Sequence, residues 1–97
     1  MNNITLIGRL VKAPAYFCTE EGRDLTRFQL SCASDLDAPV VHHCQAWGPA
    51  ALDLHTHLTT GESLQVRGEL RYRKRKIDQG REERIPVIHV RAYSYLG

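Results

Sequence analysis

Three alternating strands, one short helical segment and two more strands predict a small all-β domain. Three observations carry this. Apolar and polar residues alternate with period two through five stretches of the chain. The one stretch with helical spacing falls between the third and fourth strands. Gly8 and Gly68 sit mid-strand, where a tightly curved barrel needs close backbone approach. This order is that of the OB-fold, a partly open five-stranded barrel with one short helix between strands 3 and 4. Periodicity alone also fits an SH3-like barrel or another small α+β domain.

The elements follow in sequence. From Asn3 to Lys12, Ile4, Leu6, Gly8 and Leu10 share one face, and Thr5, Ile7, Arg9 and Val11 the other. Ala13-Pro14 ends this strand, because proline cannot donate to a ladder. Glu20-Glu21-Gly22 is a turn. From Leu25 to Ser34, Phe28, Leu30 and Cys32 stand opposite Arg27, Gln29 and Ser31, which makes Phe28 a core residue. Asp35 to Pro39 is a loop. Val40 to Trp47 is the third strand, broken by Gly48-Pro49, with Pro49 placed to begin a helix. Leu52, His55 and Leu58 form its expected stripe, and Gly61 its stop. The fourth strand starts at Ser63. Asp78-Gln79-Gly80 turns the chain into the fifth, Arg84 to Tyr95, where Pro86 excludes a central position and Tyr93 and Tyr95 are packing residues.

Ninety-seven residues make one domain, spanning 1–97, with a modest core. No internal repeat, linker or low-complexity tract divides it. Net charge is only +2, but eight basic and four acidic residues fall between Arg67 and Arg84. The rest of the chain is slightly acidic. A basic focus on a near-neutral body suits phosphates, or is one solvated hairpin. Three cysteines without CxxC spacing, no signal peptide and no bilayer-length apolar run lead to the expectation of a reduced, cytoplasmic protein with no membrane role.

The basic focus has its own pattern. Leu64, Val66, Gly68, Leu70 and Tyr72 share the core-facing parity of the fourth strand, so Tyr72 is expected to pack inside. Gln65, Arg67, Glu69, Arg71, Arg73 and Arg75 share the other face. Arg9, Lys12, Arg27, Arg71, Arg73, Lys74, Arg75 and Lys76 are the phosphate candidates. Arginine can also stack on bases through its planar guanidinium. The plain alternative is a charged edge strand protected against aggregation. Arg81 and Arg84 lie beside Glu82 and Glu83 and are read as local pairs. Tyr16, placed in a loop, either stacks on a base or covers the barrel edge.

Taken in order, these residues resemble the bacterial single-stranded DNA-binding protein (SSB) family. Met1-Asn2-Asn3 leading to Leu6-Ile7-Gly8-Arg9-Leu10, then Ala13-Pro14, is similar to its first strand. Phe28-Gln29-Leu30 is similar to its second. His42 with Ala46-Trp47-Gly48 and Ala50-Ala51 resembles its third strand and helix start. Leu58, Gly61, Val66-Arg67-Gly68-Glu69-Leu70-Arg71 and Asp78-Gln79-Gly80 resemble its fourth strand and following turn. The family usually carries a glycine-rich extension with an acidic, apolar tip. The chain through Gly97 holds none, which fits either a trimmed chain or a short, tailless OB-fold relative. Val41 and Arg75 stand where stacking aromatics often stand. His43-Cys44-Gln45-Ala46-Trp47 is similar to the aromatic-poor primosomal replication protein B branch.

The resemblance implies single-stranded DNA binding without strong sequence preference, in support of replication, repair or recombination. It places Trp47 and His43, with Val41 and Gln45, on the ligand face, although a tryptophan at a barrel end can instead anchor the core. It implies a homodimer or homotetramer paired through Asn3, Ile4 and Leu6 of the first strand and through His42. Replication or repair proteins are the implied protein partners. The alternatives are a primosome-type replication accessory, an RNA-binding OB module, or a protein-interaction adaptor.

No cofactor or metal is expected. His42 and His43 point to opposite faces of a strand, and His55 and His57 are badly spaced on a helix. The sequence also holds no HExxH, no Gly-rich phosphate loop and no nucleophile elbow, so an enzyme is not expected.

Overall fold

A computed structural model of the chain describes residues 2–35 and 38–97. Part of the opening Met1-Asn2-Asn3 motif and part of the expected 35–39 loop, namely Met1, Leu36 and Asp37, lie outside the described residues. The strands are β1 (Ile4–Leu10), β2 (Ala15–Cys18), β3 (Asp24–Cys32), β4 (Val40–Trp47), β5 (Ser63–Asp78) and β6 (Arg81–Tyr95). Helix α1 (Pro49–His57) lies between β4 and β5. The sheet runs β1-β5-β6-β4-β3-β2, and β1 also pairs with β3 through Arg9↔Ser31 and Leu10↔Leu30. Five strands therefore form a closed ring, as expected of an OB-fold, with β4 and β6 its one parallel contact at Cys44↔Ile88 and Gln45↔His89.

Closure dictates the two mid-strand glycines. A Cβ on Gly8 would lie 2.8 Å from both the Cys32 Sγ and the Ser31 carbonyl oxygen, where β1 crosses to β3. A Cβ on Gly68 would lie 2.0 Å from the His89 carbonyl oxygen. At that point the β5–β6 register skips a residue, from Arg67↔Ala92 to Gly68↔Val90. The extra residue is Arg91, a bulge that bends β6 around the barrel.

The core follows the expected alternation. Leu10, Phe28, Leu30, Cys44, Ala46, Leu64, Val66, Ile88 and Val90 are all buried together. Burial, and then the neighbouring Cys32, push the Cys44 thiol up to about 12. Helix α1 caps this core, with Ala51, Leu54 and Leu58 buried. Of the expected stripe, Leu58 is buried, but Leu52 and His55 are one residue out of phase. Leu52 and His55 are exposed, because the helix meets the barrel through Ala51, whose carbonyl accepts a 2.7 Å bond from the buried Thr26 hydroxyl. On the outer side of the helix, Asp53 accepts bonds from the hydroxyls of Tyr93 (2.7 Å) and Tyr95 (3.0 Å), tying it to the end of β6.

Two further expectations fail for identifiable reasons. Tyr16 is in a strand and not in a loop. The turn at Glu20-Glu21-Gly22, with Gly22 at φ 80° and its N–H bonded to Thr19, closes a hairpin that pairs β2 with β3. Tyr72 is 54% exposed, although it keeps the parity of Leu64 and Val66. The β1–β5 ladder ends at Ile4↔Gly68, and β6 meets β4 only at Ile88 and His89. Past that point β5 and β6 continue as a two-stranded arm, with Val87 and Ile85 buried on one face and Tyr72 on the other face open to solvent. The Asn2 side chain finishes the ladder, donating to the Leu70 carbonyl at 2.7 Å and accepting its N–H at 2.9 Å.

Candidate nucleic-acid interface

Directly opposed residues on neighbouring strands share a face. The ladders therefore define one outward surface across the sheet. Phe17, Leu25 and Trp47 form one row on β2, β3 and β4. Ala15, Arg27, Gln45, His89 and Glu69 form the next, reaching β6 and β5. Gln29 and His43 follow, and Arg9, Ser31 and Val41 lie beyond. Arg71, Arg73 and Arg75 continue this parity along the arm.

A cleft opens on this surface. Lys12 and Ala13 of the link between β1 and β2, with Ala15 at the start of β2, line one side of it. Arg27, Phe28 and Gln29 of β3, with His43 and Cys44 of β4, lie along its base. Arg73, Arg75 and Val87 line it from the arm. Val87 is buried although it faces outward, because the arm curls over the sheet there. Among the described lining residues there is no carboxylate. The Arg27 Nε is buried without a hydrogen-bond partner. Burial first, and then the neighbouring Arg73 charge, press the Arg27 pKa downward, although a guanidinium stays protonated near neutral pH. His43 is also held below the ordinary histidine value, by burial first and then by Arg73, Arg75, Lys12 and His42. Basic groups crowded into a cleft whose described lining holds no carboxylate are poised for an anion.

The expected site residues divide into four groups. Lys12, Arg27, His43, Arg73 and Arg75 come together in the cleft. Arg75 is partly satisfied by an ion pair with Glu83, and Arg71 by one with Glu69 at 3.1 Å. Trp47 and Arg9 share the outward surface at its two ends. Trp47 is half-buried, and the Arg23 guanidinium stands 4.2 Å from its ring centroid. Lys74 and Lys76 lie on the reverse face of the arm. Tyr16 lies apart from the cleft. It faces with Thr26 toward α1, stacks on His55 at 4.9 Å, and donates its hydroxyl to Asp24, which pushes its pKa up to about 12.

Sequence reasoning missed Phe17 and Arg23. Phe17 is 45% exposed, with the Arg27 guanidinium 5.5 Å from its ring. The signal was present in the short alternating run Ala15–Cys18 before a Gly turn, which reads as a hairpin. Arg84 was expected to pair with its neighbouring glutamates. Its guanidinium instead stands 4.9 Å from the Tyr72 ring, while Glu83 takes Arg75.

The sequence matches the Single-strand binding protein family over residues 1–96. The chain belongs to this family. Single-stranded DNA binding is the function that membership carries. No curated protein sequence matches the chain. The fold is similar to that of a deletion mutant of the single-stranded DNA binding protein from Thermus aquaticus, with a TM-score of 0.81 and 21% identity. That likeness covers 98% of this chain and 40% of the other, so the chain spans two fifths of that protein's length.

Proposed function

We propose that the cleft of Lys12, Arg27, His43 and Arg73 carries the phosphates of single-stranded DNA, and that bases stack on Trp47 and Phe17 along the same surface. The observation that carries this reading is the convergence of four basic side chains from four parts of the chain on one cleft. A positive groove flanked by aromatic faces is the physical requirement for sequence-neutral single-strand binding. Arg23 and Arg27, lying against Trp47 and Phe17, hold guanidiniums where a base stack can continue or a phosphate can be met. The binding needs no catalytic step and no cofactor. Its setting is DNA replication, repair or recombination.

Equilibrium binding of dT, rU and duplex oligomers tests this, with Trp47 fluorescence as the readout. The reading expects quenching and the tightest binding with dT, weaker binding with rU and the weakest with duplex. Equal affinity for duplex would overturn it. Tightest binding to rU would favour the RNA-binding alternative.

We further infer that copies pair through β1. This strand meets β3 only at Arg9 and Leu10, so along Ile4–Ile7 one side of its backbone has no neighbouring strand among the described residues. Asn3 is exposed, and Ile4, Leu6 and His42 are half-buried. Pairing there extends the positive surface across two copies. An unpartnered carboxylate is strongly disfavoured in an interface. His42→Glu should therefore lower the native mass with an unchanged circular dichroism spectrum. A wild-type monomer at high concentration would contradict this.

A further inference from the structure

The reverse face of the arm is unexplained by the cleft. Tyr72, Lys74 and Lys76 of β5 stand on it, directly opposite Pro86, Arg84 and Glu82 of β6. Two features argue against a purely structural role. Tyr72 is a large aromatic left 54% exposed, although Val87 and Ile85 on the opposite face of the same arm are buried. Lys74 stands directly across from Arg84, and like charges placed opposite each other on a ladder destabilise it. Glu82 is the one acid among the six residues, so the face keeps a net positive charge. Arg84 leans its guanidinium over the Tyr72 ring at 4.9 Å, which orients both planes before any ligand arrives.

The arm also gives a route between its two faces. Beyond Leu70, β5 has no strand on its outer side among the described residues, because its ladder with β1 ends at Ile4↔Gly68 and the Asn2 side chain covers only Leu70. A flexible polyanion leaving the cleft past Arg73 can pass over this bare edge. We propose that the reverse face of the arm is a second binding surface for the same single-stranded DNA, with a base stacked on Tyr72 beside Arg84 and phosphates held by Lys74 and Lys76. This rests on the cleft reading above. It makes the arm a rod gripped on both faces and not one wall of a groove.

Oligomer length separates the two surfaces. An oligomer of about 6 nucleotides occupies little more than the cleft, and one of about 30 can continue around the arm. For Tyr72→Ala in the full chain, affinity for the long oligomer should fall roughly tenfold, while affinity for the short one stays at the wild-type value. Tyr72→Phe keeps the ring and should bind as wild type. Arg84→Ala should flatten the salt dependence with the long oligomer only. Equal loss at both lengths would show that Tyr72 merely holds the arm in place, and no loss at either would show an idle face. A drop in native mass for Tyr72→Ala would assign the face to a subunit contact. Each of these three results overturns the proposal while leaving the cleft intact. Wild-type protein that binds neither oligomer would remove the cleft reading first.

Discussion

The two halves of β5 obey one alternation and reach opposite ends. In the barrel half, Leu64 and Val66 are fully buried and Gly68 is pressed against β6. In the arm half, Tyr72 keeps the same parity and lies in solvent. Parity fixes which face a residue takes. Burial also needs a second layer over that face, and the barrel supplies it only as far as Leu70. The barrel half thus works by exclusion of water and close approach. The arm half works by exposed charge and exposed ring.

Substitutions should separate the halves sharply. Gly68→Ala forces a Cβ into the His89 carbonyl, and backbone cannot swing aside as a side chain can. It should cost about 3 kcal/mol or more in denaturant unfolding, at the upper end of overpacking effects. Tyr72→Ala should change stability by no more than about 0.5 kcal/mol, as surface changes do. Comparable losses from the two would erase the distinction between barrel and arm.

Much of this division was legible in the sequence. The order of the five longer strands, the helix before β5, the core parity of β1, β3 and the first half of β5, and the need for Gly8 and Gly68 all follow from period-two alternation interrupted by turn residues. Lys12, Arg27, His43, Arg73 and Arg75 were named as candidates, and the fold brings them into one cleft. What stayed hidden depended on where ladders stop. Nothing local to Tyr72 says that the pairing of β5 with β1 stops at Gly68. Nothing local to Leu52 says that α1 meets the barrel through Ala51. The hairpin of β2 was overlooked because four residues between Pro14 and a turn are a short run. Phe17 and the setting of Tyr16 were lost with it.

A smaller effect concerns pH, and it sharpens the contrast between an empty and a filled cleft. His43 is held below the ordinary histidine value by burial and then by Arg73, Arg75, Lys12 and His42. The unfolded chain therefore binds more protons than the folded one as pH drops. The stability contribution is complete above about pH 6.5 and is lost as pH falls through the lowered folded value. His89, held low by burial and then by Arg71 and Arg91, acts in the same direction. Phosphates in the cleft reverse the sign for His43 by favouring its cation. Affinity for dT should therefore rise as pH falls below about 6.5, while the stability of the free protein declines. His43→Gln should abolish the rise in affinity and leave part of the decline in stability, the part due to His89. Affinity that falls in parallel with stability would place His43 away from the phosphates.

The central claim is that the cleft cations meet phosphates, and the salt dependence of dT binding tests it most directly. Each neutralised phosphate contributes a log–log slope of about −0.7 for single strands. Lys12 and Arg73 line the cleft from different parts of the chain, and removing both should leave the barrel intact. For Lys12→Ala/Arg73→Ala the slope should be shallower than wild type by about 1.4, with unfolding unchanged. An identical slope in the two proteins would put the nucleic acid elsewhere and contradict the account.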